Sequence, residues 1–583
     1  MPQKFDRLLL VLPGWLAFML YLPSLSHGFV WDDTYFLTDL PLLRDAELWW
    51  QQISEPLFVS RNYFRPLPLA AFGFEARLGG LNPFIFHFVN VLLHAANTTL
   101  VVLLARALMP AGAAGGAAAV AGLLFAIHPA LVENVAWISD RFDLMMALFI
   151  LLALVCEQRV SHPTRRAASV GGLFLLALLC KETAVVLLVL LPLWQAMQRV
   201  TVANWRQWLQ VLRANGDHKV WAALLLALLG YLALRYAALG YFYHNDSAMA
   251  RGTGLQHLLL MGKTLAWYAV LALWPFGQML PVHPAQTPVS AGDPVAWLGL
   301  AGLVMAGASM AWLLLRRPDA RRPVLAGAMA LAALAPVSNL VPLTIGDNLV
   351  HDRYLMLPVA FLSLALVMAW GVRRRPMLAV VTAGAWMAAA LVTVVGLVPR
   401  WESNLTLWTW AYAHQPDSRI ARENYVAALV NANRNEETVA VARKLLALGP
   451  EVPETTHNLA LALARLGQYA EAERVALRAV ELYPASGPKG RLDVSEAYNL
   501  LGYIHLKQGR SGAAEQALRQ SIALAPYLTR PHYNLALLLF ERGDLEGGDR
   551  ELAFAVRYGN PELAEAHQRL GNEAKQRKQA NPG

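Results

Sequence analysis

Residues 354–371 read Tyr-Leu-Met-Leu-Pro-Val-Ala-Phe-Leu-Ser-Leu-Ala-Leu-Val-Met-Ala-Trp-Gly, a run of apolar and small residues with no formal charge. A bilayer's hydrocarbon core, about 30 Å thick, is crossed by roughly 20 such residues in a helix. The run is preceded by His351-Asp352-Arg353 and followed, one residue on, by Arg373-Arg374-Arg375. A mixed polar end opposite a purely basic end is how a span with distinct cytoplasmic and non-cytoplasmic sides reads. Comparable segments lie near 8–25, 84–108, 113–131, 143–157, 167–181, 184–198, 220–239, 295–315, 323–345 and 377–398, making about eleven expected spans.

The chain has 583 residues, 56% of them hydrophobic and 15% charged, with a mean hydropathy of +0.38. That composition belongs to a membrane protein carrying a soluble appendage. The net charge of +9 does not point to nucleic acid, because the arginines sit in short runs between apolar segments. Cys156 and Cys180 are the only cysteines, and both fall within apolar segments, which argues against a disulfide framework or a thiolate metal site. Leu8 to Leu25 lacks a small-x-small cleavage site and is read as a retained anchor.

Arginine distribution sets the expected orientation. The clusters Arg159, Arg165, Arg166; Arg199, Arg206, Arg213, Lys219; Arg316, Arg317, Arg321, Arg322; and Arg373, Arg374, Arg375 are placed inside, and Lys4 and Arg7 with them. The alternation closes only if the apolar stretch 258–280, broken by Lys263, Pro275 and Pro281, lies interfacially or re-enters. The C-terminal region then emerges on the non-cytoplasmic side, in the periplasm of a bacterial inner membrane or in the lumen of an endoplasmic reticulum.

From about Asp417 a period appears. Gly467, Tyr469, Ala472, Ala479 and Pro484 recur as Gly509, Ala514 and Pro526 and then as Gly543, Leu545 and Ala555, 34 residues apart once the insertion Gly487 to Val494 is removed. This resembles the tetratricopeptide repeat. Clear repeats are expected over 453–486, 495–528 and 529–562, with a degenerate one over 419–452. Helical hairpins of this kind stack because none buries its apolar face alone. The expected fold is therefore all-α: a polytopic membrane helix bundle over 1–400, then a tetratricopeptide-repeat α-solenoid over 401–583. Its concave face is expected to carry His457, Asn458, Asn499, Tyr503, Tyr533 and Asn534.

Charges near apolar spans need partners or a task, since one at the bilayer centre costs about 2.5–3.5 kcal/mol. Most here map to the outer side: Asp32, Asp33 and Arg65; His87; His128, Glu133, Arg141 and Asp143; Lys181 and Glu182; Asp347, His351, Asp352 and Arg353. Several readings stay open for each. Loop acids such as Asp32 and Asp33 are commonly just solvated. Arg65, fixed beside Pro66, suits a phosphate or a loop acid. His87, Asn90 and His94 share a helix face, where interhelical hydrogen bonding outweighs metal or haem ligation. Asp140, Arg141 and Asp143 suit a self-neutralising network, Lys181 and Glu182 an ion pair, and Arg353 either a pair with Asp352 or a bidentate phosphate contact.

Together the motifs Trp31-Asp32-Asp33-Thr34-Tyr35, Phe64-Arg65-Pro66-Leu67, Leu81-Asn82-Pro83 with His87-Phe88-Val89-Asn90 and Leu93-His94, His128-Pro129 with Glu133-Asn134-Val135-Ala136-Trp137-Ile138, Lys181-Glu182, and His351-Asp352-Arg353-Tyr354-Leu355 carry a resemblance. The chain resembles the transmembrane and tetratricopeptide-repeat O-mannosyltransferases and their bacterial relatives, within the GT-C class of glycosyltransferases. The resemblance implies a membrane enzyme that transfers a hexose, mannose in the eponymous enzymes, from a polyprenyl-phosphate donor to a protein Ser/Thr hydroxyl on the non-cytoplasmic face. It places the first member of the acidic pair, Asp32, at the acceptor.

Displacing phosphate from an anomeric carbon needs a base for the acceptor hydroxyl and cations for the leaving group, while a general acid is dispensable. A single base without a covalent nucleophile implies inversion. Asp32 is expected as base and Asp33 as its support. Arg353 is expected as lipid-phosphate clamp, with Arg65, His351 and Asp352 in the donor site, and His87, His128, Glu133, Arg141, Asp143, Lys181 and Glu182 as a supporting polar network. No bound cofactor is expected and no divalent metal is indicated. With no Gly-rich nucleotide cradle, a nucleotide-sugar donor is disfavoured. The competing class is a membrane-anchored repeat scaffold, which does not require polar residues on one side.

Overall fold

The computed structural model describes residues 2–34, 37, 63–109, 114–198, 217–242, 253–276, 279–283, 289–340, 348–370, 376–483, 487–559 and eight further positions up to 576. Tyr35, Arg199, Arg206, Arg213, Asp347, Arg373, Arg374, Arg375 and Pro484 lie outside them. The described residues form helices and turns, with no strand among them. They fall into two compact units. The first takes in residues up to 28, 64–69 and 83–402; the second takes in 29–63 and 70–82, as far as described, and the chain from 403 onwards.

In the first unit the chain runs through α1 (Pro2–Leu20), then α2 (Pro66–Gly79), which continues into the second unit, and α3 (Pro83–Leu108), α4 (Ala114–Ala126), α5 (Val132–Ala136), α6 (Arg141–Arg159), α7 (Pro163–Cys180) and α8 (Leu187–Gln198). It continues through α9 (Asp217–Leu239), α10 (Gly254–Leu273), α11 (Pro294–Arg316), α12 (Arg321–Leu334), α13 (Met356–Trp370) and α14 (Pro376–Leu397). Each of the eleven expected segments overlaps one of these helices. Among the described residues, seven segments are long and apolar enough to cross a membrane, or eight if the bent pair Gly115–Ala126 and Pro129–Ala136 is one span.

With the bent pair counted as one span, the shortfall from eleven lies in α6, α7 and α8. Arg141, Asp143, Glu157 and Arg159 fall within α6 and Arg165 and Arg166 within α7, while α8 has only 12 residues. Segment 258–280, expected not to cross, is not among the segments long and apolar enough to do so, but one of its expected breaks is absent. Lys263 does not break it, because α10 runs unbroken over Gly254–Leu273 and the Lys263 ammonium pairs with Asp293 at 2.8 Å.

The pattern of exposure fits a bilayer. Along α11 Leu298, Val304 and Leu315 are 70%, 69% and 79% exposed, surface that lipid tails cover. Helix contacts in such a solvent rely on close backbone approach. A Cβ at Gly299 of α11 would lie 1.8 Å from the carbonyl oxygen of Gly262 in α10, so only glycine permits that crossing.

The second unit is built from α15 (Asn404–His414) and four helical hairpins: α16 (Arg419–Asn431) with α17 (Asn435–Leu448), α18 (Pro453–Arg465) with α19 (Tyr469–Leu482), α20 (Gly487–Lys507) with α21 (Ser511–Leu524), and α22 (Thr529–Arg542) with α23 (Leu545–Tyr558). Leu459, Leu463, Ala472, Ala476, Leu500 and Ile504 pack one hairpin on the next. The repeat glycines Gly467, Gly509 and Gly543 all take the left-handed conformation, with φ of +78°, +72° and +87°. In the first hairpin Asn433, 34 residues before Gly467, holds that place with φ +58°. Asparagine is the usual substitute there, which explains why this repeat looks degenerate. The insertion Gly487 to Val494 does not loop out; it lengthens α20 to 21 residues.

Candidate functional site

The polar residues of the first unit gather at one end of its bundle. Arg353, in a short 3-10 turn over Asp352–Leu355, reaches Glu133 of α5: Nη1 to Oε1 is 2.5 Å, and its backbone N–H donates to Oε2 at 3.1 Å. Its Nε lies 3.9 Å from Asp140, and the guanidinium faces the rings of Trp137 and Tyr354 at 5.2 and 5.1 Å. Asn134 donates to both the Arg353 carbonyl at 2.9 Å and Asp140 at 2.6 Å. Lys181 pairs with Asp143 and lies 4.5 Å from the centre of the Tyr354 ring. Arg65 grips Glu182 with two bonds, Nε at 3.1 Å and Nη2 at 2.6 Å.

These pairings show which neighbours the charged groups meet. Lys181 and Glu182 do not pair with each other, Arg353 finds Glu133 instead of its neighbour Asp352, and Arg65 has taken a loop acid. Asp140, Arg141 and Asp143 do not neutralise one another. Arg141 donates to Asn90 and to the Phe86 carbonyl at 2.8 Å, while Asp140 and Asp143 lie against each other and meet the cations Arg353 and Lys181. Arg65, Arg141, Lys181 and Arg353 stand against Glu133, Asp140, Asp143, Glu182 and Asp352, four positive charges against five negative.

Histidines and amides tie the same end together. On the shared face of α3, Asn90 donates to the Trp137 carbonyl at 3.0 Å, His94 meets the Ala126 carbonyl at 3.2 Å and His87 the Gly28 carbonyl at 3.4 Å. All three bond to backbone carbonyls, and of these partners Ala126 stands in a helix, α4. His128 contacts the Ala272 carbonyl at 3.1 Å. Asp352 is bound by His283 at 2.8 Å, both side chains buried. His351, also buried, stacks edgewise on Tyr354. A cavity of about 20 Å³, lined by Asp143, Thr183, Arg353, Tyr354, Ala333 and Val337 among others, has room for about one water. Among the described residues no three His, Cys, Asp or Glu side chains are placed to hold a metal ion.

Asp32 and Asp33 belong to the second unit, in the turn 31–34. Trp31 adopts φ +53°, a conformation rare for a bulky residue. It is held there by its N–H donating to the Asn404 side chain at 2.7 Å and by the edge-to-face contact of its ring with Trp408. The fully buried Asp33 carboxylate accepts the Val30 N–H at 3.1 Å, closing the turn, while Asp32 is half-buried. Thr34 Oγ1 donates to the Trp31 carbonyl at 2.9 Å.

The concave side of the repeats holds a groove of about 440 Å³. His457, Asn499, Tyr503, Tyr533 and Asn534 line it as expected, and Asn458 does not. At about 100° per residue on a helix, the stripe facing the groove is His457, Leu461 and Arg465, which turns Asn458 aside. Asn534 donates to Asn499 at 2.9 Å, so the two amides form a short ladder.

A tetratricopeptide-repeat family profile matches residues 451–526. The protein O-mannosyl-transferase Tmtc1 of Drosophila melanogaster is 37% identical over 206 residues, 32% of this chain and 23% of that protein. The human protein O-mannosyl-transferase TMTC2 is 36% identical over 172 residues, 28% of this chain and 20% of that protein. Over these stretches the chain is similar to proteins named as protein O-mannosyl-transferases. It matches less than a quarter of the length of either relative.

Sequence reasoning missed His283, Asn134 as a cluster member, and the groove residues Asn431, Arg465, Glu496 and Arg530. Asn134 lies within the Glu133–Ile138 motif, and nothing local marks its amide as a partner of Asp140 and Arg353. His283 had no companion within four residues to mark it. Arg465 was legible as the second turn-mate of His457 along the same helix stripe.

Proposed function

We propose that this chain is an integral membrane glycosyltransferase that moves a hexose from a polyprenyl-phosphate donor to a Ser/Thr hydroxyl of a polypeptide. The observation that carries this reading is the gathering of nine charged side chains at one end of an apolar bundle, a setting that suits the phosphate of a lipid donor. The names of the relatives supply the acceptor class and the sugar, mannose.

In this reading Asp32 takes the proton of the acceptor hydroxyl as the oxygen attacks the anomeric carbon and the phosphate leaves, with inversion. Its neighbour Asp33, committed to the Val30 N–H, shapes the turn that presents it. Cations meet the departing phosphate. No cation in the cluster is surplus, so phosphate binds by displacing a carboxylate. Glu182 is 31% exposed, against 3% for Glu133, so Arg65 exchanges partners more readily, and Arg353 supplies a fixed field from behind its pair with Glu133. The repeat groove holds the acceptor polypeptide and raises its local concentration without altering the chemistry.

The test is transfer of labelled sugar from synthetic polyprenyl-phosphate mannose to a Ser/Thr peptide by purified protein. Asp32→Asn keeps the shape and loses the basicity, and turnover is expected to fall at least about a thousandfold, of the order of general-base contributions. Arg65→Lys, which loses the two-pronged contact, is expected to raise KM for the donor. Full turnover by a folded Asp32→Asn protein removes Asp32 from the mechanism; absence of transfer by the unaltered protein with every polyprenyl-phosphate hexose tried favours the scaffold.

A further inference from the structure

The end of the membrane bundle opposite the charged cluster carries cations without matching acids. α3 starts beside the cluster, and its 26 residues end about 39 Å away, long enough to reach the other face of a bilayer. There the last turn of α11 and the first turn of α12 bring together Arg316, Arg317, Arg321 and Arg322. Arg317 pairs with Asp319 at 3.1 Å, both side chains about half exposed, and among the described residues this is the one acid that the four arginines meet. Arg321 Nε donates to the Leu314 carbonyl at 3.1 Å, and Arg322 Nη1 to the Leu108 carbonyl at the end of α3, also at 3.1 Å. Those carbonyls hold the two guanidinium groups in place and leave their charge uncancelled. Two further acids at this end, Glu157 and Asp217, are buried against Arg166 at 3.7 and 2.6 Å. Arg316 is exposed and stands one turn beyond Trp312, which with Met305 is exposed to the lipid, at 57% and 64%. At spacings of seven and four residues the three share one face of α11.

We propose that Arg316, Arg321 and Arg322 hold the headgroup of one anionic phospholipid, with its acyl chain lying along α11 over Trp312 and Met305. Guanidinium groups at the head of a lipid-facing apolar track match the two parts of such a lipid, and each can donate two hydrogen bonds to a phosphate. Charge complementarity decides the occupant. A choline lipid brings its own cation to the site, which the arginines repel, whereas phosphatidylglycerol brings an uncompensated negative charge. The lipid is a resident of the membrane, separate from any donor at the charged cluster.

The experiment is native mass spectrometry of the full chain in detergent, titrated with dioleoyl phosphatidylglycerol or dioleoyl phosphatidylcholine. The first phosphatidylglycerol is expected to bind at least about tenfold more tightly than the first phosphatidylcholine. Arg316→Gln, Arg321→Gln and Arg322→Gln are each expected to weaken it about fivefold, the size of one basic side chain's attraction to anionic lipid, and to leave phosphatidylcholine unaffected. Arg159→Gln, which removes an exposed arginine at the end of α6, is expected to change neither. Arg316 is exposed at a helix end, so its replacement tests the idea even where loss of the Arg321 or Arg322 carbonyl contact disturbs the bundle. Equal binding of the two lipids overturns the inference. So does a preference that survives all three substitutions, which moves the lipid elsewhere, or one that Arg159→Gln weakens as much, which makes it a property of the basic surface as a whole. Inorganic phosphate that displaces phosphatidylglycerol at equal concentration leaves the acyl chain no part in recognition and overturns the assignment to a lipid.

Discussion

The ion pairs explain why adjacent charged residues do different work. Lys181 is fully extended, with φ −159° and ψ +133°, and successive side chains of extended backbone point to opposite sides. Lys181 accordingly meets Asp143, and Glu182 meets Arg65. Asp352 and Arg353 stand in a 3-10 turn, where neighbours diverge by about 120°, and so reach His283 and Glu133. The residues were legible in the sequence as costly polar groups. Their partners were not, because nothing local distinguishes Glu133 from Asp352 as a neighbour for Arg353. Removing one partner of a buried pair leaves an uncompensated charge, at about 3–5 kcal/mol. Glu133→Ala is therefore expected to lower the melting temperature in detergent sharply. The double variant Glu133→Leu with Arg353→Met is expected to melt above the single one, because it leaves no orphaned guanidinium. A double variant no better than Glu133→Ala would mean that Arg353 has a second, equally strong anchor.

Among the elements, the repeats were the most legible, because a 34-residue period and a left-handed glycine are local properties of the chain. Asn433 shows how a missing glycine can hide a repeat without altering its hairpin. A side chain in this conformation costs about 1–2 kcal/mol. Gly467→Ala is thus expected to speed hydrogen exchange in α18 and α19, and Asn433→Gly to slow it in α16 and α17. Unchanged exchange in both variants would mean that these turns open independently of the helices they join. Acid acts on the same unit in two stages. Burial holds His457 and His505 below the ordinary histidine pKa. The unfolded chain then binds protons first, and stability is lost as pH falls from about 6.5 toward the folded values. Glu473 and Glu515, held low mainly by Arg510 and by Arg519 with Arg542, are expected to add a second loss below about pH 4.5. Corrected exchange rates in the repeat helices should rise in that order, and a repeat unit most stable at pH 5 would contradict the sign.

For the whole molecule, arginine asymmetry predicts that a cysteine introduced at Asn458 reacts with an impermeant maleimide only from the non-cytoplasmic side; labelling from the cytoplasm alone would reverse the orientation and the side assigned to the chemistry. By itself the sequence determined the helical class, the apolar segments, the repeat period and the crowding of polar residues on one side. Each of these follows from composition or from periodicity within a single helix or hairpin. Only the tertiary structure decided which charges meet. Arg353 and Glu133 are 220 residues apart, Arg65 and Glu182 117, His283 and Asp352 69, and Lys181 and Asp143 38. A pair is selected by how far each helix is rotated and how deep it sits against its neighbours. Those are set by packing along its whole length, down to a glycine such as Gly299 that lets two backbones touch. The groove obeyed the same rule, since the rotation of α18 by one residue position turned Arg465 into its lining and Asn458 out of it.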